Sequence, residues 1–204
     1  MSTLKTTNIT HGSNSGTANM VLASDGNVTV AGALAAGSFT GAGLFTSYAI
    51  ICDEKDSTTN AGGFSTDAWR TRDLNTEIAD PDGIVSISSN QFTLQAGSYL
   101  IKWDAPVYSV DRYTSILYDV TNSAIKQYGR SGFDNNYAVQ TATVGIARVT
   151  ITGATAYEIQ CACQTSQSSN GFGYANEIKA DGDYSNGTTE GKSIYTIVEI
   201  YKEA

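Results

Sequence analysis

The 204 residues carry a net charge of −8 and 20 glycines against two methionines and two prolines, a balance poor in helix formers. That charge excludes the basic footprint of a nucleic-acid-binding protein and disfavours adhesion to anionic lipid. No segment reaches the roughly 18 consecutive apolar residues of a transmembrane helix, and Met1-Ser2-Thr3-Leu4-Lys5 lacks the apolar stretch of a secretory signal, so no membrane insertion is expected.

Composition breaks near residue 45. Thirty of the first 45 residues are Gly, Ala, Ser, Thr or Asn, Lys5 and Asp25 are the charged ones, and all 12 tyrosines and both tryptophans follow. Residues 1–45 are therefore expected to form an arm, and 46–204 a domain large enough for a full core. Within the arm, 20–30 alternates apolar residues around Asp25-Gly26, the signal of a hairpin. The small residues of 30–43 suit close approach of chains. An arm this poor in core-forming residues is ordered only when a partner ties it down.

From residue 46 the pattern is of consecutive strands with turns between them. Residues 48–53 form the first, and 56–81 a long excursion closed by the turn Asp80-Pro81-Asp82-Gly83. Strands follow at 84–87, 92–94 and 98–108, where Tyr99, Ile101 and Trp103 alternate with Leu100, Lys102 and Asp104. A hairpin across Thr121-Asn122 joins 113–120 to 123–130. Strands 140–151 and 156–163 are linked around Gly153. A polar loop spans 165–192, and a central final strand covers 193–201. About eight to ten strands and no helix give an all-β, jelly-roll β-sandwich. The final strand is apolar on both faces, with Ile194, Val198 and Ile200 on one and Tyr195, Ile197 and Tyr201 on the other. A strand exposed on one side alternates with polar residues. The face of Tyr195, Ile197 and Tyr201 is therefore expected to be covered by another subunit.

Cys52, Cys161 and Cys163 read as buried free thiols. Residues i and i+2 of a strand lie too far apart for a disulfide, roughly 6.5–7 Å. Zinc is excluded by the single histidine, His11, in the arm. No cofactor is expected. Asp181 and Asp183 are a weak calcium candidate. The loop fails the EF-hand pattern, with Asn186 and Lys192 where Gly and Glu are needed. Three stretches have the composition of a ligand site. Trp69, Arg70 and Arg72 crowd charge around an indole, which suits a sugar or carboxylate, though the structural reading leads: Arg70 or Arg72 paired with Asp73 or Glu77, or across a trimer seam. Asn135, Asn136 and Tyr137, with Phe133, and then Phe172 and Tyr174, mix polar and aromatic side chains in loops, where binding sites concentrate. No histidine lies in the domain, so Ser-His-Asp and Cys-His chemistry is absent. A two-carboxylate glycosidase, a polysaccharide depolymerase built from among Glu77, Asp80, Asp104 and Glu158, is the remaining catalytic option.

Residues 48–55 (YAIICDEK), 62–77 (GGFSTDAWRTRDLNTE), 92–101 (FTLQAGSYLI) and 195–202 (YTIVEIYK) resemble the trimeric jelly roll of the complement globular head and tumour necrosis factor class, above all versions in tail-fibre-like proteins of marine bacteriophages. The opening MSTLKTTNI looks like the N-terminal tag of such fibre proteins. The resemblance spans 46–204 for the fold and 1–30 more weakly for the tag. It implies a homotrimer in a virion, with 1–45 bound to other virion proteins and the knob presented to a host glycan or protein. The implied role is a fibre or receptor-binding component. The alternative is a capsid decoration protein or head fibre whose arm lies on the capsid lattice.

Overall fold

The computed structural model describes residues 44–135, 138–175 and 191–204 in full, and the backbone of 8–9, 20–22 and 28–30. The chain divides into two compact units, 1–42 and 43–204. In the first, β1 (Asn8–Ile9), β2 (Met20–Leu22) and β3 (Val28–Val30) form an antiparallel sheet in that order. Met20 pairs with Val30 and Leu22 with Val28, the hairpin expected from 20–30.

The second unit contains β4 (Phe45–Asp56), β5 (Arg70–Thr71), β6 (Thr76–Ala79), β7 (Val85–Ser88), β8 (Gln91–Leu94), β9 (Gly97–Tyr108), β10 (Arg112–Asp119), β11 (Ala124–Tyr128), β12 (Gly132–Phe133), β13 (Gln140–Ile151), β14 (Thr155–Cys163) and β15 (Lys192–Glu203). Beyond the strands expected by position lie β5 and β12, of two residues each, and β6, which falls within the stretch 56–81 read as an excursion. There is no helix among the described residues. One sheet has the order β13-β9-β15-β4-β6; the other runs β11-β10-β14-β8-β7, with β12 on β10 and β5 on β14. From β8 to β15 the chain passes back and forth between the sheets, and its first and last long strands pair side by side. This is a jelly-roll β-sandwich.

Alternation builds the core. Tyr99, Ile101 and Trp103 of β9, Val149 of β13 and Val198 and Ile200 of β15 are buried against Phe92, Leu94, Leu117, Tyr157 and Ile159 of the facing sheet. Trp103 lies across Gly145, its pairing partner on β13. A Cβ at Gly145 would come within 1.9 Å of the indole. The indole Nε1 donates to Ser115 Oγ at 2.8 Å, and Thr143 Oγ1 donates to the Arg130 carbonyl at 2.7 Å. These bonds join the two sheets through buried polar groups that all find partners.

β15 departs from simple alternation. Its register with β4 slips by one residue between Ile194, paired with Glu54, and Ile197, paired with Cys52. The extra residue is a β-bulge, and one residue reverses which side chains face the core. Tyr195 is consequently 4% exposed and inside the core, whereas Ile194 is 41% exposed. Tyr195 does not share the outward face with Ile197 and Tyr201, as strict alternation predicts; Ile194 takes that place. The Tyr195 hydroxyl donates to the Thr59 carbonyl at 2.6 Å. Gly173, at φ +146°, lets the backbone approach this ring, which an added Cβ would meet at 2.5 Å.

Candidate functional site

The block around Trp69 works mainly inside the fold. After β5 the chain turns inward, and Arg72 is 1% exposed. Its Nε donates to Thr196 Oγ1 at 2.8 Å and its Nη2 to the Phe172 carbonyl at 2.6 Å. The guanidinium lies 4.1 Å from the centroid of the Phe172 ring, which packs 4.7 Å from Phe64. Burial pulls the Arg72 pKa below its ordinary value. Lys55 Nζ bridges Asp53 and Asp73, both at 2.8 Å. Asn75 donates to Asp53 at 3.0 Å and Asn90 to Asp73 at 3.1 Å. Burial raises the Asp53 pKa against the pull of Lys55. For Lys55, burial opposes the charge, but the two carboxylates outweigh it and hold the pKa up. Arg72 and Phe172 are thus packing residues that clasp segment 70–77 to the core, not exposed ligand contacts. Trp69 stays at the surface, 6.5 Å from the Tyr128 ring, and Arg70 donates to the Ser65 and Thr66 carbonyls, both at 3.3 Å.

The loops around 60, 110, 138 and 170 meet at one end of the sandwich. Phe64 and Gln167 exchange backbone hydrogen bonds of 2.8 Å, Tyr108 N–H donates to the Gly171 carbonyl at 3.0 Å, and Ser109 N–H to Val139 at 3.2 Å. Tyr174 is exposed there, its ring 5.0 Å from Tyr108, and its N–H donates to Gln140 Oε1 at 2.7 Å. Asn135 is exposed at φ 55°, and Ser109, Asp111 and Ala138 also have positive φ, at 52°, 61° and 41°. The Asp134 carboxylate pins the 109–111 turn by accepting from the N–H groups of Val110 at 3.1 Å and Asp111 at 2.7 Å. Asn136, Tyr137, Asp181 and Asp183 lie outside the described residues.

Beside this end, a groove of about 790 Å³ opens over β12, β10 and β14, with Arg112, Phe133 and Gln164 on its rim. Arg112 and Gln164 carry no local sequence signal. They meet only because β10 pairs with β14, residues far along the chain.

A second surface is the outer face of the β13-β9-β15-β4-β6 sheet. Pairing aligns Ile146, Lys102, Glu199 and Ile50 in one row, and Arg148, Leu100, Tyr201 and Tyr48 in the next. Ile146 is 55% exposed, and Tyr48 and Ile194 are exposed too. Lys102 pairs with Glu199 at 2.9 Å, and the Tyr201 hydroxyl donates to the same Glu199 oxygen at 2.6 Å. The bonds from Tyr201 and then Lys102 lower the Glu199 pKa. Phe45 stacks 5.2 Å from Tyr201, extending the apolar area toward the strand ends.

The carboxylates singled out for glycosidase chemistry are dispersed. Asp80 accepts from the N–H groups of Ile84 and Val85 in a turn. Glu158 accepts from Thr71, Gln91 and Gln160 on the opposite sheet from Asp104. Glu77 sits on β6. The cysteines are free, with Cys52 and Cys161 buried and Cys163 half-buried. Burial pushes all three thiols up to about 11, so they stay protonated near neutrality.

Among solved structures, the chain is similar to the globular domain of the zebrafish complement 1qA protein, at 14% identity over 76% of this chain and 96% of that one, TM-score 0.47. It is also similar to the Eiger TNF of S. frugiperda, at 11% identity over 77% of this chain and 92% of that one, TM-score 0.49. Murine APRIL aligns at 5% identity over 76% of this chain and 98% of that one, TM-score 0.47. No family model matches the sequence, and no curated protein matches it.

Proposed function

We propose that the chain is a non-catalytic attachment module of a bacteriophage particle. It associates as a homotrimer through the outer face of the β13-β9-β15-β4-β6 sheet, and residues 1–45 join it to other particle proteins. The observation that carries this reading is the sheet face itself. Ile50, Leu100, Ile146, Ile194, Ile197, Tyr48 and Tyr201 leave an apolar surface open on a strand set whose other face is already full. An apolar face of this kind marks an interaction surface. The Lys102–Glu199 and Arg148–Glu203 pairs within it, at 2.9 and 2.6 Å, enter the covered face already paired, which offsets part of the cost of taking their charges out of water.

The particle role rests on the compositional break near residue 45 and on the resemblance of 1–30 to fibre tags. Copies of the knob then leave the opposite sheet and the loop end facing outward for a host surface. Gold-labelled antibody to the knob, applied to purified particles, tests the role. Label on a projection of the tail or head is expected; label spread over the whole capsid lattice assigns decoration instead. Particles without label contradict the reading.

A further inference from the structure

We propose that the groove over β12, β10 and β14 binds a sugar bearing a carboxylate, of the hexuronate or sialate class. It deepens the attachment reading by naming the ligand class of the exposed sheet, and it involves none of the residues assigned to self-association.

The groove, about 790 Å³, is a shallow trough large enough for one or two pyranose rings. Its cationic element is Arg112. The guanidinium sits 5.4 Å from the centroid of the Phe133 ring, and its Nη1 donates to Gln164 Oε1 at 2.7 Å. Ring and amide fix the plane of the guanidinium while its Nε–Nη2 edge makes no hydrogen bond among the described residues. That edge is the fork that takes a carboxylate in two parallel bonds.

The guanidinium of Arg112 is not paired with a carboxylate of the chain among the described residues. Lys55, Lys102, Lys126, Arg148 and Lys192 are paired with carboxylates, whereas Arg70, Arg130 and Lys202 share with Arg112 the lack of an ion pair among the described residues. The two acidic residues beside the rim are engaged elsewhere: Asp111 accepts from the Thr165 hydroxyl, and Asp134 accepts from two backbone N–H groups of the 109–111 loop. Neither pairs with Arg112 among the described residues, so recognition of a carboxylate rests on the open Nε–Nη2 edge and its two-bond geometry, not on a net positive patch.

A bare carboxylate would use only Arg112. The remaining surface suits a sugar ring. Phe133 is 55% exposed and offers a flat apolar face beside the fork. Thr114, Ser131 and Gln164 place hydroxyl and amide groups around a floor containing Ala162. A pyranose has the same alternation of apolar C–H face and polar rim. Arg112 and Phe133 are pairing partners across β10 and β12, so the two side chains stand side by side before a ligand arrives.

The test titrates the full chain with methyl β-glucuronide, methyl β-glucoside and acetate, following chemical shifts. The glucuronide is expected to saturate and the glucoside to bind about ten- to hundredfold more weakly, the worth of a charge-assisted pair of hydrogen bonds. Acetate is expected not to saturate over the same range. Arg112→Met should erase the preference for the glucuronide, Arg112→Lys should restore part of it, and Phe133→Ala should weaken both sugars. Equal binding of the two sugars, binding of neither, acetate as tight as the glucuronide, or an unchanged preference in Arg112→Met overturns the proposal. Sedimentation of the same samples reads self-association separately, so failure of the sugar site and failure of the trimer are distinguished.

Discussion

Arg72 holds Phe172 twice, through a hydrogen bond of 2.6 Å to its carbonyl and a guanidinium 4.1 Å above its ring. With the bond from Nε to Thr196 at 2.8 Å, one side chain links segment 70–77, the loop after β14 and strand β15. Three distant parts of the chain depend on a single buried cation. The loop end of the sandwich is thereby anchored from below, which leaves its outward residues free to serve recognition.

The first expectation follows from that anchor. Arg72→Met should destabilise the knob by about 3 kcal/mol or more, because it strands the Phe172 carbonyl and the Thr196 hydroxyl in a dry site. Thr196→Val removes one partner and should cost about 1–2 kcal/mol. Urea unfolding midpoints at unchanged slope measure both. A loss below about 1 kcal/mol for Arg72→Met would mean that water or a rearranged loop replaces the clasp.

The bulge in β15 separates association from folding. Ile194→Asp and Ile197→Asp place charge on the outer face and should leave a folded monomer, with near-ultraviolet circular dichroism retained. Tyr195→Asp buries that charge and should abolish folding, while Tyr195→Phe loses only the bond to Thr59, about 1 kcal/mol. If Tyr195→Asp yields a folded monomer, Tyr195 faces outward and the bulge is misplaced.

Gly145 tests the packing between the sheets. Gly145→Ala drives a methyl group into Trp103, and the displaced indole loses its bond to Ser115. The expected loss is about 1–3 kcal/mol, with a shift in tryptophan emission. An unchanged midpoint and spectrum would show that the indole has room to move.

Stability of the knob should depend on acid. Tyr201 and Lys102 lower the pKa of Glu199 relative to the ordinary 4.5. A depressed carboxyl contributes stability that is complete above its unfolded value and lost as pH falls through the folded one. The knob should therefore weaken from about pH 4.5 downward, and Glu199→Gln should flatten that part of the profile. Thermal melts from pH 6 to 3 provide the measurement. Identical profiles for both proteins would remove Glu199 from the acid response.

Much of the fold was legible because alternation in β9, the turn at Asp80-Pro81 and the pairing of β10 with β11 are local signals. Burial follows directly at Tyr99, Ile101 and Trp103. The bulge was hidden. Ile194, Tyr195, Thr196 and Ile197 are all β-formers, and no composition marks which residue is the extra one. Arg72 was ambiguous for a different reason. A guanidinium reads as surface until the Phe172 carbonyl and Thr196, far along the chain, are brought to it. The groove was the least legible, since Arg112 and Phe133 lie on β10 and β12 and Gln164 just after β14, and they become neighbours only through the register of β12-β10-β14.

Sedimentation equilibrium of the full chain at micromolar concentration decides whether the outer sheet face joins three copies. A mass three times that of the 21.5 kDa chain is expected, falling to a single chain in Ile197→Asp. A wild-type mass of 21.5 kDa would contradict that expectation, because the outer face of the β13-β9-β15-β4-β6 sheet would then be open to water in the native protein.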